Sequence, residues 1–233
     1  LSAHTGFTGG SFLDLTDEMT RITEHWEQIG LRFDGIYSGF LGSAAQIDVV
    51  ERVIRRFRGS SMVIVDPVLG DHGKAYRTCT PELCRGMRQL AEQADVITPN
   101  LTEAAILLER PYEEIQACDA AAVVQKLSRD GRRSVVLTGY SAAEGQTGAL
   151  CFDHLSGQVQ AVQTFREPQD FSGTGDLFAS VLTGGLVGGI PLFQAAQAAA
   201  EFVRACVSRT LREGLTETDG VDFEPLLGQL TTR

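Results

Sequence analysis

Lysine is nearly missing from this 233-residue chain: Lys74 and Lys126 are the only two, and arginine carries the rest of the positive charge. A formal net charge of −10 denies the chain the cationic surplus that general nucleic-acid or anionic-membrane binding needs, leaving room only for a local basic pocket. Long apolar runs are missing as well. No stretch reaches the length of a membrane span, and no charged-then-apolar leader opens the chain. The five cysteines (79, 84, 118, 151 and 206) are odd in number and lack metal-type pair spacing, which leads us to expect reduced thiols in a cytoplasmic protein. The four histidines (4, 25, 72 and 154) lie too far apart in sequence to suggest zinc. Two nucleotide signatures are also lacking: no G-x-x-x-x-G-K-[ST] occurs, and no G-x-G-x-x-G follows an opening strand. A P-loop kinase and a dinucleotide-dependent dehydrogenase are therefore disfavoured.

What is present is a rhythm of strands and helices. Apolar runs bounded by turn residues predict strands at 33–38, 61–65, 95–98 and 134–138, of the uninterrupted kind that a parallel sheet buries on both faces. Between them, periodicity and capping residues predict helices. One is opened by Thr16 as N-cap, with Met19, Ile22, Trp26 and Ile29 on its inner face and Trp26 in the core. A second carries Ile47, Val50, Ile54 and Phe57 inward, and further helices start at Thr80-Pro81, Pro99-Asn100 and Asp119. Residues 147–153 and 159–165 then predict an antiparallel hairpin turning at Ser156-Gly157, followed by helices from about 174 to 187, 191 to 211 and 225 to 230. The fold class is α/β: three layers, a mainly parallel sheet with helices on both faces and an antiparallel hairpin late in the chain.

In such folds ligands bind beyond the carboxyl ends of the strands, and the polar clusters of this chain follow strand ends. They are His4-Thr5, Ser38-Gly39, Asp66 to Asp71, Asn100 to Glu103, Thr138-Gly139 and Gly173 to Asp176. The last is the most pointed. Glycines at 173 and 175 flank Thr174 and open a helix, so backbone N–H groups and the helix dipole converge on a place fit for an anion. Asp176 sits beside that place, where a carboxylate could accept a proton from an attacking hydroxyl. Read alone, the same four residues are a loop and a helix cap. Asn100 and Glu103 are likewise either a capping pair or, with Asp66, holders of a hydrated Mg²⁺. Asp66 before a proline can be a turn residue and Asp71 a solvated loop residue. Lys74 sits on a glycine-flanked loop able to cover phosphates.

Together, Gly173-Thr-Gly-Asp176, Asn100-Leu-Thr-Glu103, Asp66-Pro-Val-Leu-Gly-Asp71, Tyr37-Ser-Gly-Phe-Leu-Gly42 and Ser2-Ala-His-Thr-Gly6 resemble the ribokinase superfamily, and within it the pyridoxal (vitamin B6) kinase branch. The resemblance covers essentially the whole chain. It implies one ribokinase-like domain over residues 1–233 that phosphorylates the 5′-hydroxymethyl group of pyridoxal, pyridoxine or pyridoxamine with ATP and Mg²⁺. Asp176 would be the base and Gly173, Thr174 and Gly175 the anion hole. Thr5, His4 and Ser38 would meet the substrate, and Thr98, Asn100, Thr138, Thr174 and Tyr76 the nucleotide. Asp66, Asp71, Asn100 and Glu103 would lie around the metal, directly or through water. Family members commonly form homodimers. The family's first strand and helix, on the order of 30 residues, have no counterpart in the sequence. Two rivals stand beside this reading: a hydroxymethylpyrimidine kinase built from the same parts, and a catalytically silent binding protein that keeps the fold.

Overall fold

The computed structural model describes residues 11–216 and 219–230. Eight strands occur among them: Gly35–Ser38 (β1), Met62–Val65 (β2), Gly70–Asp71 (β3), Lys74–Ala75 (β4), Val96–Ile97 (β5), Ser134–Tyr140 (β6), Gln146–Phe152 (β7) and Val159–Phe165 (β8). Six of these form one sheet in the order β1-β2-β5-β6-β7-β8, and β3 pairs only with β4. The pairs β1–β2, β2–β5 and β5–β6 are parallel, while β7 and β8 run antiparallel. Consecutive parallel strands need a crossover, which the helices supply.

The alternation of side chains along each strand builds two cores. Val63, Val65, Ile97, Val135, Leu137 and Leu150 face one side, against Ala44–Phe57 (α2), Pro81–Ala91 (α3), Leu101–Leu108 (α4), Tyr112–Ala117 (α5) and Ala120–Leu127 (α6). Ile64, Val96, Val136, Ala149, Cys151 and Val162 face the other, against Thr174–Val187 (α7) and Leu192–Arg212 (α8). The three-layer α/β class read from the sequence is the class observed. The first helix, Thr16–Gln28 (α1), lies outside these layers, and a 3₁₀ turn, Glu224–Leu230, follows α8.

Local chemistry explains most boundaries. Thr80 caps α3, its hydroxyl accepting the Leu83 N–H at 3.2 Å ahead of Pro81. Asp119 caps α6 by accepting the Ala121 N–H at 3.2 Å. Arg133 is buried and, among the described residues, unpaired with any carboxylate; its guanidinium donates to the Leu127 carbonyl at 2.8 Å and to the Ala91 carbonyl, tying the ends of α6 and α3 to the start of β6. Burial without a counter-ion pulls its pKa down to about 10.

Three expectations need correction. Thr16 is the first helical residue rather than the cap; the Asp14 carboxylate accepts its N–H at 2.7 Å. The apolar stripe of α1 is not core, because none of its residues is fully buried and Ile22 and Ile29 are 41% and 56% exposed. Trp26 instead packs edge-on against Phe33 and Phe57, with ring centroids 5.2 and 6.4 Å away. Finally, Cys79 and Cys84 form a disulfide where we expected thiols. Their spacing in sequence carried no signal, but the bend into α3 brings their Cα atoms to 6.2 Å, within disulfide reach. Of the others, Cys118 is exposed and Cys151 and Cys206 are buried, free thiols.

The contrast between α1 and α2 is measurable. Ile54→Ala removes a side chain 1% exposed in the core and should cost about 2–5 kcal/mol, whereas Ile29→Ala should stay within about 0.5 kcal/mol. Urea unfolding of both variants checks this; equal losses would mean that α1 is packed as core.

Candidate active site

Gly173 opens α7 at φ +86°, a left-handed conformation that glycine adopts without steric cost. The turn closes through the Leu177 N–H on the Gly173 carbonyl at 3.0 Å and the Thr174 hydroxyl on the Phe171 carbonyl at 3.2 Å. Among the described residues no backbone acceptor takes the N–H groups of Thr174, Gly175 or Asp176. Among the described residues, chain neighbours and the helix's own backbone aside, no atom lies within 4 Å of where a Cβ on Gly173 or Gly175 would stand. The result is an open turn with free donors at the positive end of a 14-residue helix and the exposed Asp176 carboxylate in its first turn.

The facing groups come from strand ends. Asp66 directly follows β2 and is buried; its Oδ1 accepts the Thr98 hydroxyl at 3.0 Å and its Oδ2 the Tyr37 hydroxyl at 3.2 Å. Three neighbouring parallel strands thus each deliver one group to the same edge: Tyr37 on β1, Asp66 after β2 and Thr98 after β5. Burial pushes Asp66 up to about 7, opposed by the two hydroxyls and reinforced by the charge of Asp176. The Tyr37 phenol is driven upward by burial and by Asp66 and Asp176, so it stays a donor.

Asn100 and Glu103 form a complete capping box on α4. The Asn100 Oδ1 accepts the Glu103 N–H at 2.9 Å, and the Glu103 Oε2 accepts the Asn100 N–H at 2.8 Å. Their remaining groups reach the β3–β4 hairpin: the Leu69 N–H donates to Glu103 Oε1 at 3.1 Å, and Asn100 Nδ2 donates to the Gly70 carbonyl at 2.8 Å. Glu103 is only 4% exposed, and burial raises it to about 8 against the pull of its N–H donors, with Asp66 adding to the rise.

Every polar side-chain atom of Asn100 and Glu103 is engaged with backbone, and no group of three or more His, Cys, Asp or Glu residues converges on a cation position among the described residues. Asp71 is exposed at the hairpin and accepts the His72 N–H at 2.8 Å. Tyr76, just past β4, is raised by partial burial and then by Asp71, Glu103, Asp176 and Asp66, which places its phenol within the field of all four carboxylates.

Ser38 is buried at the end of β1, and its hydroxyl has no hydrogen-bond partner among the described residues. Thr138 lies half-buried on β6, immediately before a register shift against β7. His4 and Thr5 lie outside the described residues.

Two features escaped the sequence reading. Tyr37 precedes Ser38, and at a strand end the last residue on either face reaches the edge; a hydroxylated aromatic there was the available signal. The second is a cavity of about 600 Å³ between the β7–β8 ends and α8, lined by Gln146, Gln163, Phe165, Gln197, Glu201 and Phe202 among others. Gln163 joins it to the segment after Thr138, its amide accepting the Ala142 N–H at 3.0 Å and donating to the Tyr140 carbonyl at 3.2 Å. Residues so distant in sequence carry no local motif.

Residues 20–220 match the phosphomethylpyrimidine kinase family. A pyridoxine/pyridoxal/pyridoxamine kinase from Bordetella avium is 34% identical over 72% of this chain and 57% of its own length. A hydroxymethylpyrimidine/phosphomethylpyrimidine kinase from Bacillus subtilis is 30% identical over 79% of this chain and 67% of its own. The chain thus spans about half to two thirds of the length of the curated relatives it matches. Among solved structures, a Bacteroides thetaiotaomicron protein assigned to the phosphomethylpyrimidine kinases, in a crystal form with pyridoxal, superimposes with a TM-score of 0.88. It is 36% identical, and the match covers 98% of this chain and 82% of that one.

The buried carboxylates predict a pH signature. Asp66 titrates near 7 when folded against an ordinary 3.8, and Glu103 near 8 against 4.5, so the folded state keeps protons that the unfolded chain has released. The contribution of these two groups to stability falls as pH rises from about 4 to about 8, by at most about 1.4 kcal/mol per pH unit for each group. Asp66→Asn removes one of the two contributions. Its melting temperature should decline less steeply than the wild type's between pH 5 and 8; an unchanged slope would show that Asp66 is ionised throughout.

Proposed function

Because the chain belongs to the phosphomethylpyrimidine kinase family, within the ribokinase-like superfamily that also holds the pyridoxal kinases, we propose that it transfers the γ-phosphoryl group of ATP to the 5′-hydroxymethyl group of a B6 vitamer. The observation that carries this reading is the pairing of free N–H donors on Thr174, Gly175 and Asp176 with the Asp176 carboxylate, on one turn and at the sheet edge that collects Tyr37, Asp66 and Thr98.

The chemistry follows from that turn. The γ-phosphoryl lies against the free N–H groups, whose fixed dipoles stabilise its negative charge without reorganising. Asp176 accepts the proton of the incoming hydroxyl as its oxygen attacks phosphorus. The bond from phosphorus to the β–γ bridging oxygen breaks, and ADP leaves with that oxygen. Asp66 and Glu103, being buried and raised in pKa, carry part of their protons near neutrality and so soften the repulsion between the cluster and the polyphosphate. The cavity of about 600 Å³ has the size of a small-molecule pocket and adjoins the β6 segment bearing Thr138, which suits it to the nucleoside part. Asn100 and Glu103 build the site's frame and would organise Mg²⁺ directly or through water.

A second reading has a specific support: the Bacillus subtilis relative carries the hydroxymethylpyrimidine kinase name, and its substrate presents the same kind of hydroxymethyl group on a nitrogen heteroaromatic ring. Steady-state rates on pyridoxal, pyridoxine, pyridoxamine and hydroxymethylpyrimidine separate the two by their kcat/KM ratios.

Asp176→Asn tests the mechanism common to both. The side chain is isosteric and exposed, so the variant should melt within a few degrees of the wild type. Its kcat should fall at least ~100-fold, the low end for removing a general base. Near-normal turnover would exclude Asp176 as the base.

A further inference from the structure

The β3–β4 hairpin is too small to hold itself in place. Each strand has two residues, joined by His72 and Gly73 at φ +48° and +76°, the two-residue turn whose central residues both take positive φ. Isolated two-stranded ribbons are marginal in water, so something outside the hairpin must fix its position. That something is the first turn of α4, whose residues 100, 102 and 103 hold the segment at three points. Glu103 and Asn100 take its root at Leu69 and Gly70, and the Thr102 Oγ1 accepts the Gly73 N–H at its tip at 2.8 Å.

Thr102 is not needed by the helix. Asn100 and Glu103 already complete the cap, and threonine is a weak helix former. Its side chain is 4% exposed and is spent on the hairpin. Packing gives the tip little other support. Gly73 touches the Tyr112 ring, where an added Cβ would come within 3.0 Å of Cδ1, yet a cavity of about 360 Å³ lined by Gly73, Arg88, Thr102, Ile106 and Tyr112 lies between the hairpin and the helices. Beyond β4 the pairing runs one step further, the Tyr76 N–H donating to the Leu69 carbonyl at 2.8 Å, which holds Tyr76 near the carboxylates of the site.

We propose that Thr102 is a positioning residue: by holding Gly73 it seats the hairpin, and the seated hairpin keeps Tyr76 against the bound polyphosphate. The nucleotide half of this statement rests on the kinase reading above; the seating half stands on the geometry alone.

Limited tryptic digestion of the native chain reads the seating directly, because Lys74 and Arg77 flank the tip of the segment and are exposed. Thr102→Val keeps the shape and removes the acceptor. Cleavage after Lys74 or Arg77 should accelerate about 3- to 10-fold, the range expected for losing one hydrogen bond, while cleavage after Arg209 on α8 stays unchanged. Thr102→Ser, which restores the hydroxyl, should return the rate to within about twofold of wild type. The KM for ATP in Thr102→Val should rise about 3- to 10-fold, with kcat changed less than threefold.

Three results would overturn the proposal. Equal cleavage of the valine variant and the wild type would mean that Thr102 does not hold the hairpin. Acceleration at Arg209 as well would make Thr102 a general core residue. A released hairpin with unchanged ATP KM would separate the hairpin from nucleotide binding. A parent chain with no turnover on any substrate would sink the kinase reading and the nucleotide half with it, while digestion still decides the seating.

Discussion

The buried capping box of Asn100 and Glu103 is the constraint on which the site depends. It sits where β5 ends and α4 begins, and it satisfies the helix's first N–H groups while fixing the chain that returns from β2. A helix start in this position could not be left to water, because Glu103 is almost fully buried and unpaired backbone donors there would each cost about 1–3 kcal/mol. The same carboxylate that meets this local need also raises the electrostatic cost of the neighbourhood, since Asp66 lies close enough to push its pKa further upward. A structural requirement thereby becomes part of the site's chemistry.

The sheet does the remaining placement. Parallel strands end on one edge, so Tyr37, Asp66 and Thr98 meet without any of them being near in sequence, and the crossover order β1-β2-β5-β6 makes the three adjacent. Negative charge accumulates there, and the open start of α7 opposes it with aligned donors. Rigid elements hold the buried acids, while the open turn at Gly173 and the small hairpin present the exposed groups. That division suits a site whose frame must stay fixed while ligands enter and leave.

Legibility in the sequence followed the range of the interaction. Apolar runs and caps reported the parallel strands, α3, α4 and α6 closely, because a strand's burial and a helix's first turn are decided by adjacent residues. Gly173 to Asp176 could be read for the same reason: the turn, its free N–H groups and its carboxylate are contiguous. What failed was whatever depended on distant partners. The stripe on α1 has helical spacing, yet Ile22 and Ile29 stay largely exposed. The loop after Asp66 hides a hairpin whose hydrogen-bonded support comes from the distant first turn of α4. For Asn100 and Glu103 the sequence left capping and metal binding open. The structure completes the capping box, with a backbone partner for each side-chain oxygen and for the amide nitrogen.

Burial also sorts the carboxylates by task. A general base must reach a hydroxyl that arrives from solvent and must stand beside the group under attack. Asp66 cannot: it is 8% exposed, and both oxygens are taken by the hydroxyls of Thr98 and Tyr37. Glu103 cannot, with its oxygens turned to the Leu69 and Asn100 N–H groups. Asp71 is exposed but engages the backbone of its own hairpin, on a different element from the anion pocket. Asp176 alone combines exposure, no side-chain hydrogen bond among those found in the described residues, and a place on the same turn as the free donors. The proposed role of Asp176 as the base is thus supported by the hydrogen-bond pattern as well as by the Gly-Thr-Gly-Asp motif.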